Sequence, residues 1–223
     1  MRRVSLPAAA LLAALCAVAG CTTEQGYLPI VATRPVDLDL RGVDVSHFPV
    51  KRGVEGSDTR ATSVFLIPTG DGPSLARAVE HALARSGGDV LARVHVRLRQ
   101  WWFVLVSVET LSVRGDSVDI PSVDQPPGER LTAISTQNAP VIGFQVEGAP
   151  RVDGVEGESL AKTYLWVPTR TMSPTLQEAI DAALARGNGN LMTDVVVEHE
   201  WWYLPFLYGQ EGWHVRGDVV RAK

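Results

Sequence analysis

The sequence predicts an α+β protein made of two tandem β-α-β-β repeats, each a small mixed sheet with one helix on one face, packed as a pseudo-twofold pair. Three observations predict it. Gly53-Val54-Glu55-Gly56 recurs as Gly154-Val155-Glu156-Gly157, Ala82-Leu83-Ala84-Arg85 as Ala183-Leu184-Ala185-Arg186, and Val113-Arg114-Gly115-Asp116 as Val215-Arg216-Gly217-Asp218, at offsets of 101, 101 and 102 residues. Matches that keep their order across a whole unit with one residue of drift mark an internal duplication. Within each unit, apolar residues first alternate as in a strand and then recur at helical spacing.

The chain opens on MRRVSLPAAALLAALCAVAGC, with two arginines, an apolar stretch from Leu6 to Val18 and then small residues. That order reads as an export signal over residues 1–20. Its apolar core is shorter than the roughly 20 residues of a membrane span. Val18-Ala19-Gly20-Cys21 resembles the lipobox of bacterial lipoproteins. The resemblance implies cleavage before Cys21, a thioether from its thiol to a diacylglycerol, and acylation of its new amino group. Thr22 in place of an aspartate implies the outer membrane, at its periplasmic or surface face. Each buried methylene contributes ~0.8 kcal/mol, so several acyl chains on one residue anchor firmly.

Cys16 leaves with the leader and Cys21 is committed to lipid, so the 203 residues from 21 to 223 have neither a disulfide nor a thiolate for metal or nucleophilic work. A core must hold them. The whole chain carries 21 basic and 25 acidic side chains; losing Arg2 and Arg3 leaves 19 against 25, or −6. With no basic block there is no electrostatic footprint for nucleic acid.

Residues 21–35 read as a tether that becomes an added strand near Val36 to Leu40, 36–119 as the first repeat, 120–138 as a linker with Pro121, Pro126, Pro127 and Gly128, and 139–223 as the second repeat. In each repeat a strand carries Ser63, Phe65 and Ile67, or Thr163, Leu165 and Val167, and ends at Pro68 or Pro168. A helix follows, with Gly72 or Ser173 at the cap, Pro73 or Pro174 at the first helical position, and Leu75, Val79, Ala82 and Leu83, or Leu176, Ile180, Ala183 and Leu184, on one stripe. Gly87 and Gly88, or Gly187 and Gly189, stop it. Val90, Val94, Val96 and Leu98, alternating with Arg93, His95, Arg97 and Arg99, form a second strand, matched by Val195 and Val197. A last strand runs through Val106, Val108, Leu111 and Val113 to Val118, matched by Trp213, Val215 and Val219. So short a strand-helix-strand passage predicts a right-handed crossover joining parallel neighbours, with the last strand returning antiparallel.

Gly53, Gly56, Gly70-Asp71, Ser74, Gly88, Val113 and Gly115 form a pattern that resembles the TRL-like (tRNA-associated locus) bacterial lipoproteins. The second copy has Thr171-Met172 in place of the Gly-Asp turn. The resemblance covers about 130 residues and implies no catalytic residues and no established activity.

The candidate site residues are aromatic. Trp101-Trp102 and Trp201-Trp202-Tyr203 begin where alternation stops, with an alignment ambiguous by one residue, and Phe206, Tyr208 and Trp213 enrich the second copy. They can pack between the units or over a sheet face, form an apolar tip for lipid or a protein partner, or make a ligand platform. The two Val-Arg-Gly-Asp tetrads lie inside strands and read as structural. His47, His81, His95, His199 and His214 show no metal spacing, and neither a Gly-x-Ser-x-Gly elbow nor a phosphate loop occurs. The expectation is a non-enzymatic envelope lipoprotein without cofactor, serving as a structural or protein-interaction module. The alternative is a periplasmic small-ligand-binding lipoprotein with an aromatic site between the repeats.

Overall fold

The computed structural model describes residues 19–34, 48–64, 67–68, 72–103, 106–120, 130–137, 148–165, 167–170, 172–204 and 207–222; residues 1–18 of the expected export signal lie outside them. The strands are β1 (Ala19–Ala32), β2 (Val50–Val64), β3 (Ile67–Pro68), β4 (Val90–Phe103), β5 (Val106–Val118), β6 (Ala133–Ser135), β7 (Arg151–Tyr164), β8 (Val167–Pro168), β9 (Leu191–Leu204) and β10 (Tyr208–Val220). The helices are α1 (Leu75–Ser86), before β4, and α2 (Leu176–Gly187), before β9.

The α+β expectation of two small mixed sheets is overturned. The strands form one continuous sheet in the order β3-β2-β5-β4-β1-β6-β9-β10-β7-β8, with every pairing antiparallel. Setting aside the two-residue pieces β3 and β8, it is an eight-stranded antiparallel sheet. The prediction failed at the crossover. β2 and β4 are not neighbours, because β5 inserts between them and pairs with both; β10 does the same between β7 and β9. A helix spans the gap as readily as it would join adjacent strands, and two antiparallel ladders replace one parallel pair.

The tether and linker are also corrected. Residues 19–32 form β1, paired with β4 from Ala19↔Trp102 to Ala32↔Val90, and 133–135 form β6. The segment 36–40, where an added strand was expected, lies outside the described residues. Each unit therefore starts one strand earlier than its repeated tetrads suggest. Leu28 and Leu131 are both buried, and Thr33 donates to Glu80 on α1 as Thr136 donates to Asp181 on α2. These pairs stand 103 residues apart, as do Val31 and Ile134, which face each other across the β1–β6 ladder. A residue opposite its own equivalent marks the pseudo-twofold axis, which runs through that pair.

The repeated tetrads converge on one knot in each unit. Gly53 and Gly154, both at φ 64°, open bulges in β2 and β7, positions that favour glycine. Their N–H groups donate to Asp116 Oδ1 (2.9 Å) and Asp218 Oδ1 (2.8 Å). Arg85 and Arg186 donate from the helices to the carbonyls of Glu55 and Glu156, whose carboxylates face Arg114 and Arg216. Gly56 and Gly157 lie under the helices so closely that a Cβ would sit 2.1 Å from the carbonyl oxygens of Ala78 and Ala179. The helices accordingly lay their apolar stripes flat on the sheet, and one buried cluster runs through both units.

The helix caps differ from expectation by two residues. Ser74 caps α1, its Oγ accepting from the Arg77 N–H (3.4 Å), and Thr175 caps α2, accepting from Glu178 (3.2 Å). Pro73 and Pro174 thus precede the caps. Gly87 ends α1 at φ 77°, whereas Asn188 takes that left-handed position after α2. Gly187 is instead the last helical residue, and the position needs a glycine for space, since a Cβ there would meet Val219 at 2.4 Å.

Candidate functional site

Pairing register settles the ambiguous aromatic alignment. Trp101 faces Val108 and Trp202 faces Gln210, while Gln100 faces Glu109 and Trp201 faces Glu211. With β5 and β10 offset by 102, Trp101 is equivalent to Trp202, and Trp201 to Gln100. The second pair is therefore displaced by one residue: Trp101 and Trp202 share a face of the sheet, and strand alternation puts Trp201 on the other.

Trp101 is half-buried, with the Arg99 guanidinium 4.1 Å from its ring centroid and Gly20 against its ring. Trp202 is half-buried and stacks on Tyr208 (4.8 Å between centroids), which stacks on Tyr164 (4.9 Å). Tyr208 donates its hydroxyl proton to Gln210 Oε1 (3.0 Å). Trp201 lines a groove described below. Trp213 is a correction: at 1 % exposure it belongs to the interior and offers no platform. The side chains of Trp102 and Tyr203, and the whole of Phe206, lie outside the described residues. Cys21 is exposed and free, within β1 opposite Gln100.

The sequence reading missed the polar center of the molecule. In the sheet order, β5 and β9 are four steps apart, roughly 19 Å if the sheet were flat. Yet Glu109 Oε2 on β5 lies 3.1 Å from His199 Nδ1 on β9, with their side chains 3 % and 1 % exposed. The sheet must curl until the inner faces of the two units meet. Gln100 Nε2 donates to the other Glu109 oxygen (3.1 Å). The Trp213 ring lies 4.5 Å from His199. His199 Nε2 and Trp213 Nε1 are both buried without a hydrogen-bond partner. Half-buried Glu211 completes the group: burial pushes its carboxyl above the ordinary range, the nearby His199 opposes this, and the Glu109 charge adds to it.

A groove of about 730 Å³ opens beside this center, where the first turn of α1 meets β9, lined by Arg60, Ser74, Arg77, His199, Trp201 and His214. Asp58 Oδ2 accepts the Ser74 N–H (2.8 Å) and pairs with Arg60 (3.6 Å), holding the helix start against β2.

A carboxylate that orients an imidazole through Nδ1 is half of a general-base arrangement. Here Nε2 is buried and has no hydrogen-bond partner among the described residues. Among the described residues no three side chains are grouped to bind a metal ion. The Val-Arg-Gly-Asp tetrads are committed within the fold, their aspartates capping the bulges. Comparison of the chain with protein-family models, with curated proteins and with solved structures finds no match.

Proposed function

We propose that this chain is a non-enzymatic lipoprotein of the bacterial outer membrane, anchored through Cys21 and serving as a structural or protein-interaction module. One observation carries the reading: the cysteine that ends the export-like leader is exposed at the head of β1, where an acyl chain can leave the body without disturbing the core. The resemblance to TRL-like lipoproteins supports it. So does the groove, which offers a partner Trp201 beside arginine and histidine side chains, the mix of aromatic and polar groups that protein contacts favour.

The test is fractionation of cells expressing the full chain, with the mass of the N-terminal peptide. Acylated Cys21 in the outer-membrane fraction, and release by Cys21→Ser, are expected; an unmodified cysteine in the mature protein would refute the anchor. A second reading, a small ligand held between the units, is favoured by the unpartnered nitrogens of His199 and Trp213. Its residues would be Glu109, His199, Trp201 and Glu211 rather than four tryptophans.

A further inference from the structure

We propose that Glu109, His199 and Glu211 form an ionic clasp that fastens the two units together and makes their union sensitive to pH. Glu109 and Glu211 occupy the same place in the two copies, on β5 and β10. The curled sheet brings both to His199, the histidine that Glu109 contacts directly and whose charge acts on Glu211.

The second copy has diverged where the clasp sits. Its His199 and Trp213 stand where the first copy has Leu98 and Leu111, both fully buried and apolar. An apolar core needs no imidazole there; the imidazole gives the buried Glu109 carboxyl a partner from the other unit. Glu109 and His199 satisfy each other at 3.1 Å across the two units, whereas burial holds the Glu211 carboxyl above its ordinary range. Ionising Glu211 adds a charge beside Glu109 where burial disfavours it, and removing either partner of the Glu109–His199 contact leaves a buried polar group alone; either is costly in a medium that solvates polar groups poorly.

The surroundings supply little else to compensate. β4 contributes the uncharged Gln100, and the turn before α1 contributes Gly72, close to both Glu109 and the His199 carbonyl. On β2, Asp58 and Arg60 pair with each other. Arg77 on α1 and Trp201 on β9 line the groove beside His199. Glu198 and Glu200 alternate with His199 on β9 and point to the other face, where Glu200 pairs with His214 of β10.

The sign for Glu211 follows from its raised carboxyl. Its contribution is fully present below the unfolded glutamate value, about 4.3, and is lost as pH rises through the higher folded value. The experiment compares melting midpoints of the full chain as wild type, E109Q, H199L, E109Q/H199L and E211Q from pH 4 to pH 8. Each single change at Glu109 or His199 is expected to lower the midpoint at neutral pH by roughly 5 °C, because it leaves a buried polar group without its partner. The double variant, with neither the carboxyl nor the imidazole left unpaired, should lie closer to wild type than either single. A double variant no better than the worse single overturns the clasp. Should the singles not fold, E211Q decides: its midpoint relative to wild type should be near zero at pH 4 and positive at pH 8. A difference of zero or below at pH 8 overturns the proposal.

Discussion

Alanine at Gly56 should destabilise the protein, although the backbone there would tolerate it. Gly56 is not among the glycines with positive φ, so on backbone grounds alone Gly→Ala reduces unfolded-state entropy and stabilises by roughly 0.4–1 kcal/mol. The contacts reverse that sign. An added Cβ would lie 2.1 Å from the Ala78 carbonyl oxygen, 2.5 Å from the Ala82 nitrogen and 2.9 Å from the Ala82 Cβ. The first two are backbone atoms of α1, which no rotamer change can move aside. The helix must rise by about 1 Å, and a gap of that size forfeits about a quarter to a half of each dispersion contact along its buried stripe. Overpacking of this kind costs about 1–3 kcal/mol, so the net loss should be about 1–2 kcal/mol after the entropic gain. Urea unfolding should show a lower midpoint with an unchanged slope. Gly157→Ala meets the same atoms of α2, at 2.1, 2.6 and 2.7 Å, and should lose a similar amount, additively with the first. A midpoint that is unchanged or raised in both variants would refute the close seating of the helices.

Gly87 meets nothing within 4 Å but sits at φ 77°, so Gly87→Ala should cost about 1–2 kcal/mol through the backbone alone; Gly87→Asn should cost less, because Asn188 already holds that conformation in the second copy. The Asp218 carboxyl is held below the ordinary range by the Gly154 N–H, against the effect of burial, and further by Arg151. Its contribution is present above the unfolded aspartate value, about 3.9, and disappears as pH falls through the lower folded value. Asp218→Asn should therefore cost about 1–2 kcal/mol at neutral pH, with the difference closing in acid denaturation curves. Trp202→Ala removes a ring from the stack with Tyr208 and Tyr164 and should cost about 0.5–1.5 kcal/mol beyond lost burial, with a fall in near-ultraviolet circular dichroism; an unaltered spectrum would count against the stack.

The duplication, the two helices and most strand positions were legible because they depend on local chemistry: repeated tetrads, apolar stripes, and prolines and glycines at element ends. The caps could have been read better. Thr175 followed by Glu178 is a capping-box pattern, and the structure uses its threonine as the cap. Strand order was not legible, because nothing in β5 announces that it lies between β2 and β4 rather than outside them. The leading strands were hidden by length. β6 has three residues against fourteen in β1, and the residues before it include Pro126 and Pro127, which cannot donate to a ladder. Glu109 and Glu211 were within reach. Carried from Val113-Arg114-Gly115-Asp116 back along β5 at the same offset of 102, the repeat pairs them, and both share the strand parity of buried Leu111 and Trp213. His199 as their counter-ion depends on the curl of the whole sheet, which no local pattern reports.

The two copies agree at the residues that seat each helix on its own strands and differ where the units meet. Bulge glycines, the aspartates that cap them, the arginines that reach from helix to strand and the glycines beneath the helices are the same in both. Each acts within one unit, so a change in either copy disrupts that copy directly. Near the axis, a residue can face the other unit, and identical residues then bring like against like. Two apolar side chains accept this, as Val31 and Ile134 do. Two carboxyls drawn together, one buried and one half-buried, do not, and one copy must supply something different beside them. On this reasoning the departure from symmetry at Leu98 and His199 follows from the fused, curled sheet itself, and an engineered His199→Leu chain that restores the symmetry should become tolerable only when Glu109 is neutralised as well.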